Sequence, residues 1–145
     1  VGSVINLQAV QSFIEQVRSL GVRIALDDFG AGYSNFRYAM DLHADVIKID
    51  GSIVKNICHS TESHAVVTAI VGLAHDLGCK CVAEWVEDLH TLREVKELGV
   101  DYVQGYLVSP AVECERFLNL NSTLELMPDQ DRARMIQDAL ESVSC

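Results

Sequence analysis

The sequence predicts a parallel α/β fold, and two observations carry that reading: a helix-to-strand joint that recurs four times, and short apolar strands that each close in a polar residue. Leu20-Gly21-Val22, Leu77-Gly78-Cys79 and Leu98-Gly99-Val100 each link an amphipathic stretch to an apolar one. Glycine just past the last apolar helical residue is a helix stop. Leu42-His43-Ala44-Asp45 holds the same place a fourth time. A closed (β/α)8 barrel takes about 250 residues, and the chain has 145. The expected architecture is therefore half of such a barrel: four βα units, preceded by an N-terminal helix and followed by an extra C-terminal one.

The elements follow in order. Leu7, Val10, Ile14 and Val17 share a helical face before the first joint, as do Val66, Ile70, Leu73 and Leu77, and then Leu89, Leu92 and Val95. Strands are expected at 22–27, 45–49, 79–84 and 100–104. They are short and mostly apolar, as strands covered on both faces should be. Residues 129–143 place Ile136, Leu140 and Val143 on one face, an added helix outside the repeat. The expected division is a partial barrel over 1–120 and an amphipathic helix within 121–145, packed on the barrel half or pairing with it.

Composition narrows the function classes. The chain has no apolar run approaching the ~20 residues of a membrane helix. Val1-Gly2-Ser3-Val4 has neither the basic region nor the apolar core of a secretory signal, and the five cysteines are odd in number and scattered. These features lead us to expect a cytoplasmic protein with reduced thiols. Cys79 and Cys81 lack the spacing of a zinc pair and are read as structural. A net charge of −10 argues against long nucleic acid, which wants a basic face, and leaves room for a small phosphate ester held through divalent cations.

The strand ends carry the chemistry. Asp27, Lys48, Glu84 and Gln104 close the four strands, at the edge where parallel α/β folds build active sites. Alternation sets Asp27 with Ala25, Glu84 with Val82 and Gln104 with Tyr102, so all four polar groups are expected to face one barrel mouth. Adjacent carboxylates at Asp27 and Asp28 suit a hard cation such as Mg2+ or Mn2+. Gly30 and Gly32 permit a tight loop, and Ser34 is placed to cap the next helix, where phosphate is favoured. The bland alternatives are polar strand ends at a surface, an ion pair between Lys48 and Asp27 or Glu84, and a solvated loop for Glu84 and Glu87.

Four segments in register resemble one family: Asp27-Asp28-Phe29-Gly30-Ala31-Gly32-Tyr33-Ser34, Asp45-Val46-Ile47-Lys48-Ile49-Asp50, Val82-Ala83-Glu84-Trp85-Val86-Glu87 and Gln104-Gly105-Tyr106. They are similar to the EAL domains, bacterial signalling phosphodiesterases that hydrolyse cyclic-di-GMP to the linear dinucleotide. The similarity covers about residues 7–117 and corresponds to the C-terminal half of the domain. It implies a TIM-like barrel using two divalent ions, with Asp27 as the bridging ligand and Asp28 serving the second ion. It implies that Lys48 steadies the attacking water and the phosphate, that Glu84 assists that water, that Gln104 supports by hydrogen bonding and that Glu87 supports the loop.

The departures matter as much. The first strands of the family carry the Glu-Ala-Leu motif, an asparagine and another glutamate, and this sequence has no counterpart of them. The metal site is thus expected to be incomplete and the chain alone inactive or barely active. Trp85 stands where the family usually has glycine, Gly51 where it generally has arginine, and Asn35 where it generally has serine. Trp85 either narrows the pocket or covers an exposed half-core. A half-barrel leaves two strand edges and an inner face open, so self-association as a homodimer is expected. Two other readings stay open: a non-catalytic cyclic-di-GMP-binding or protein-interaction module, and, more weakly, a phosphoacceptor receiver with Asp50 as acceptor.

Overall fold

The computed structural model describes residues 7–32, 35–127 and 130–141. After α1 (Leu7–Ser19), β1 (Ala25–Phe29) leads to α2 (Asn35–Leu42), then β2 (Val46–Ile49), a short α3 (Gly51–Val54) and α4 (Thr61–Asp76). Then come β3 (Lys80–Ala83), α5 (Leu89–Glu97), β4 (Tyr102–Val103), α6 (Cys114–Leu118), a 3-10 turn at Thr123–Leu126 and α7 (Gln130–Glu141). The strands form one parallel sheet in the order β1-β2-β3-β4. A doubly wound sheet reverses its order at a switch point, whereas these strands advance in one direction, as they do around a barrel.

Local chemistry sets the boundaries. The left-handed φ of Gly21, Gly78 and Gly99, between 74° and 87°, ends α1, α4 and α5 at the three expected joints. At the fourth joint His43 takes the same conformation, at φ 48°, and Arg18 donates to its carbonyl. Helix starts are capped by side chains: Asp50 accepts from the Ser52 N–H, Ser60 from Ser63 and Asp88 from Thr91.

The strands differ from expectation in length. β1 starts at Ala25, after a lead-in in which Val22 still belongs to the end of α1 and Ile24 already bonds to the start of β2. The Val22 N–H donates to Val17 O, and Ile24 O accepts from Asp45 and Val46. β1 also runs on to Phe29, for a reason taken up with the site, and β4 shrinks to two residues.

Burial alternates along β2 and β3 and, apart from a break at Asp27–Asp28, along β1, but only one side is covered. Phe29, Ile47, Ile49, Cys81 and Ala83 are fully buried against Val67, Ile70 and Ala74 of α4 and Leu92 and Val95 of α5. On the other face Ala25, Asp27, Lys80 and Tyr102 are exposed, and Val46, Lys48 and Val82 are half-buried. The expectation of strands covered on both faces is thus corrected: the face that would line a barrel interior is open. The final helix does not close it. α7 packs on α5, burying Ile136 and Ala139, and Lys96 donates to Leu140 O. Leu140 itself is 44% exposed, so the buried face is one position off the expected stripe. Val143 lies outside the described residues.

Cys79 and Cys81 fill the core as small apolar groups. Burial pushes the Cys81 thiol up to about 12. Cys79, also buried, donates its thiol to Ala44 O at 3.0 Å.

At the N-terminal edge of the sheet, one carboxylate ties β2 to β1 and another ties β4 to β3. Asp45, just before β2, accepts from the Ile24 N–H at 2.7 Å and from Arg18 at 3.2 Å. Asp101, just before β4, accepts from the Cys81 N–H at 2.8 Å, from Lys80 at 2.6 Å and lies 3.0 Å from the His75 ring. Burial opposes the Asp101 charge, but these partners prevail and hold its pKa at about 2. The carboxyl ionises more easily folded than unfolded, so its contribution is complete above about pH 4 and disappears as the pH falls through about 2. Denaturant unfolding of Asp101→Asn at pH 7 should show a loss of about 2 kcal/mol, shrinking as the wild type is measured at lower pH.

Candidate active site

The site is built around an irregularity in β1. Leu26 pairs with Ile47 and Phe29 with Ile49, so Asp27 and Asp28 together stand opposite the single residue Lys48. That is a bulge, with two residues facing one. Strict alternation would send the Asp28 side chain into the core and Phe29 out of it. Instead Asp28 adopts a left-handed φ of 50°, both aspartates stay exposed, and Phe29 returns to full burial. Gly30, at φ 100°, continues the turn. A Cβ there would meet Ile53 Cδ1 at 2.7 Å and Ile70 Cδ1 at 2.9 Å, so the turn also needs the missing side chain. Gly32 is exposed and a Cβ there would meet nothing within 4 Å; steric demand does not explain it. Ser34 lies outside the described residues.

Lys48 reaches across the mouth from β2. Its Nζ donates to Asp27 Oδ1 at 2.6 Å and pairs with Glu84 Oε1. Glu84, directly after β3, is 8% exposed. Burial opposes the lysine charge, but the two carboxylates raise its pKa above the ordinary value. The hydrogen bond from Lys48 in turn lowers that of Asp27. The anticipated ion pair is therefore present with both partners at once.

Asp27, Asp28 and Glu84 bring one ligand oxygen each to within 4.8 Å of one another. Three converging carboxylates fit a hard divalent cation, which takes six or more oxygens, so the remaining positions fall to water or to groups outside these strands. Lys48 already supplies one positive charge to the cluster. With three carboxylates against the one charge of Lys48, the cluster keeps an excess of negative charge that calls for a divalent cation before any phosphate could approach.

Gln104 and Glu87 join a neighbouring feature. Together with Trp85, Tyr106 and Lys55 they line a groove with a cavity volume of about 760 Å³. The Gln104-Gly105-Tyr106 turn is stitched to the loop after β3: Val86 N donates to Gln104 O and Leu107 N to Val86 O. A Cβ on Gly105 would fall 2.2 Å from Val86 O, so this approach requires glycine. Asp50, the acceptor in the receiver reading, is occupied as the cap of α3.

Sequence reasoning found the four strand-end groups but missed the bulge, the groove residues Lys55 and Tyr106, and the carboxylate ties at the opposite edge. The bulge had a signal in the spacing: Leu26 and Phe29 are the residues a core would claim, and they lie three apart where a strand demands an even step.

A family profile for the EAL domain matches residues 2–111. The chain belongs to the EAL domain family. It is 43% identical over 103 residues to the "Probable cyclic di-GMP phosphodiesterase PdeA" of Escherichia coli K12, a match covering 71% of this chain and 14% of that protein. Among solved structures, an EAL domain protein from Listeria monocytogenes superimposes with a TM-score of 0.73 at 35% identity, over 78% of this chain and 46% of that one. The Klebsiella pneumoniae BlrP1 manganese/cyclic-di-GMP complex superimposes with a TM-score of 0.69 at 33% identity, over 74% and 27%. The chain spans under half of each of these proteins, and its α/β sheet corresponds to part of the family's TIM barrel. Divalent metal and cyclic-di-GMP are thus found together in this family.

Replacing Lys48 removes a charge that competes with any cation for the same carboxylates. Manganese titration followed by electron paramagnetic resonance should show Lys48→Gln binding Mn2+ roughly thirtyfold more tightly, the ~2 kcal/mol of repulsion between a unit charge and a divalent cation at about 4 Å in a water-like dielectric. Asp27→Asn should weaken binding by a similar factor; equal affinity in all three proteins would separate the cluster from metal.

Proposed function

We propose that this chain carries the C-terminal half of a metal-dependent cyclic-di-GMP phosphodiesterase site and is inactive or barely active by itself. The convergence of Asp27, Asp28 and Glu84 around Lys48 carries the reading. Asp27 and Asp28 would hold Mg2+ or Mn2+, two ions in a complete domain, with Asp27 shared between them. When bound, such ions neutralise developing charge and lower the pKa of water. Lys48 orients the non-bridging phosphate oxygens and the attacking water. Glu84 takes the proton of that water as its oxygen bonds to phosphorus and the P–O3′ bond breaks, and the departing O3′ takes up a proton from solvent to become the free hydroxyl of the linear dinucleotide. Gln104 and Glu87 support the pocket wall, and Gly30, Gly32 and Ser34 shape the loop after the aspartates.

We take residues 1–120 as the partial barrel and 121–145 as an added helical segment, working in the cytoplasm. The edges of β1 and β4 are where the barrel's remaining strands would pair, turning the open face into the barrel interior; in the isolated chain a second copy would cover that face, giving a homodimer. No helix among the described residues is long and apolar enough to cross a membrane. The open face also favours a second reading, a module that binds cyclic-di-GMP without hydrolysing it.

Calorimetry with cyclic-di-GMP and Mg2+ or Mn2+, followed by chromatographic assay of the linear product, tests both. The chain alone should give little or no product. Supplying a polypeptide with the Glu-Ala-Leu half should restore turnover, and Glu84→Gln should then lower it by at least about a hundredfold, the scale of a lost general base. Binding with no turnover in the restored assembly would establish the second reading; turnover indifferent to Glu84→Gln would remove the first.

A further inference from the structure

Trp85 is the chain's single tryptophan, and its setting is unusual in three respects. Its backbone lies at φ 54°, a left-handed conformation that glycine occupies freely and a bulky side chain does not. Its indole is seated on Gly51: a Cβ at that buried position would fall 2.2 Å from Trp85 Cγ, 2.3 Å from Cδ2 and 2.7 Å from Cδ1. The five-membered ring thus lies directly against the backbone of residue 51, and any other residue there would displace it. Finally, the side chain remains 55% exposed and forms one wall of the 760 Å³ groove that Gln104, Tyr106 and Lys55 also line.

A tryptophan serving only to cover a core would be buried. This one has a fixed seat beneath it and an open groove beside it, and it follows Glu84 of the carboxylate cluster directly in sequence. A rigid indole with solvent on its free side is suited to stack a flat heteroaromatic ring, and Lys48, paired with the adjacent Glu84, offers a cation for the phosphate such a ring is joined to in a nucleotide. We propose that Trp85, held by Gly51, is a stacking platform for a purine base of the phosphodiester. This rests on the phosphodiester reading of the neighbouring carboxylates and adds a residue that determines which ligand the groove accepts. Lys55 and Gln104 supply polar contacts at its rim.

Because the backbone at 85 suits glycine, Trp85→Gly should fold, and the sole indole gives a direct optical readout. Titration with guanosine 5′-monophosphate should quench the emission saturably, and ribose 5-phosphate should not. Calorimetry should show Trp85→Gly binding the nucleotide roughly tenfold more weakly, within the range base stacking on an aromatic contributes, and Trp85→Phe recovering most of the loss. Gly51→Ala, which unseats the ring, should weaken nucleotide binding while leaving Mn2+ affinity unchanged. Nucleotide affinity unaltered in Trp85→Gly, or no saturable quenching, would overturn the platform. Cyclic-di-GMP binding with the emission unmoved would do so while sparing the phosphodiester reading. Quenching by the nucleotide in a protein that binds no Mn2+ would uphold the platform and remove the metal reading.

Discussion

The site depends on one extra residue in β1. A parallel strand offers every second side chain to a given face, so two adjacent aspartates cannot both serve the barrel mouth unless the backbone breaks step. The bulge opposite Lys48 provides that break, and the left-handed turn at Asp28 is its local cost. The core restores the step: Phe29 is fully buried and anchors the strand beyond the irregularity, while Leu26 packs on the core before it. Hydrophobic burial on either side therefore holds two like charges together. Lys48 offsets their repulsion from β2, the strand paired with this one.

The second governing fact is that the sheet has a covered face and an open one. Its helix-facing side buries Phe29, Ile47, Ile49, Cys81 and Ala83 completely, and the other side carries the charged cluster together with Ala25, Val46, Val82 and Tyr102. Side chains of this size are suited to the interior of a barrel, where layers from other strands meet them. In water they are an adhesive surface. The same openness leaves Asp27 solvated, which limits how strongly Lys48 and Asp27 can interact compared with the pair Lys48 makes with the buried Glu84.

Much of this was legible in the residues. Helix ends were visible because Gly21, Gly78 and Gly99 mark left-handed stops, and the same logic extended to His43 through its position in the repeat. The polar groups at strand ends were visible because Lys48 and Glu84 interrupt apolar runs. What escaped was whatever depends on registration between strands. The bulge is a property of β1 against β2, and the buried face of α7 is set by where it meets α5, so Ala139 rather than Leu140 lies inward. Trp85 and Gly51 each stood out alone as departures from the family, but only the fold shows that one occupies the space the other leaves.

The carboxylate ties at Asp45 and Asp101 give the architecture a division of labour. Each precedes its strand by one position, follows a Leu-His-Ala or Leu-Gly-Val joint, and accepts the N–H of a residue on the neighbouring strand side. Register is thus clamped at the edge remote from the bulge, by hydrogen bonds that need no contribution from the mouth. The mouth adds its own tie through Lys48, but the alignment of the strands does not rest on that edge alone. An indole can replace a glycine there, and its seat can lose a side chain, while the far edge keeps the strands aligned.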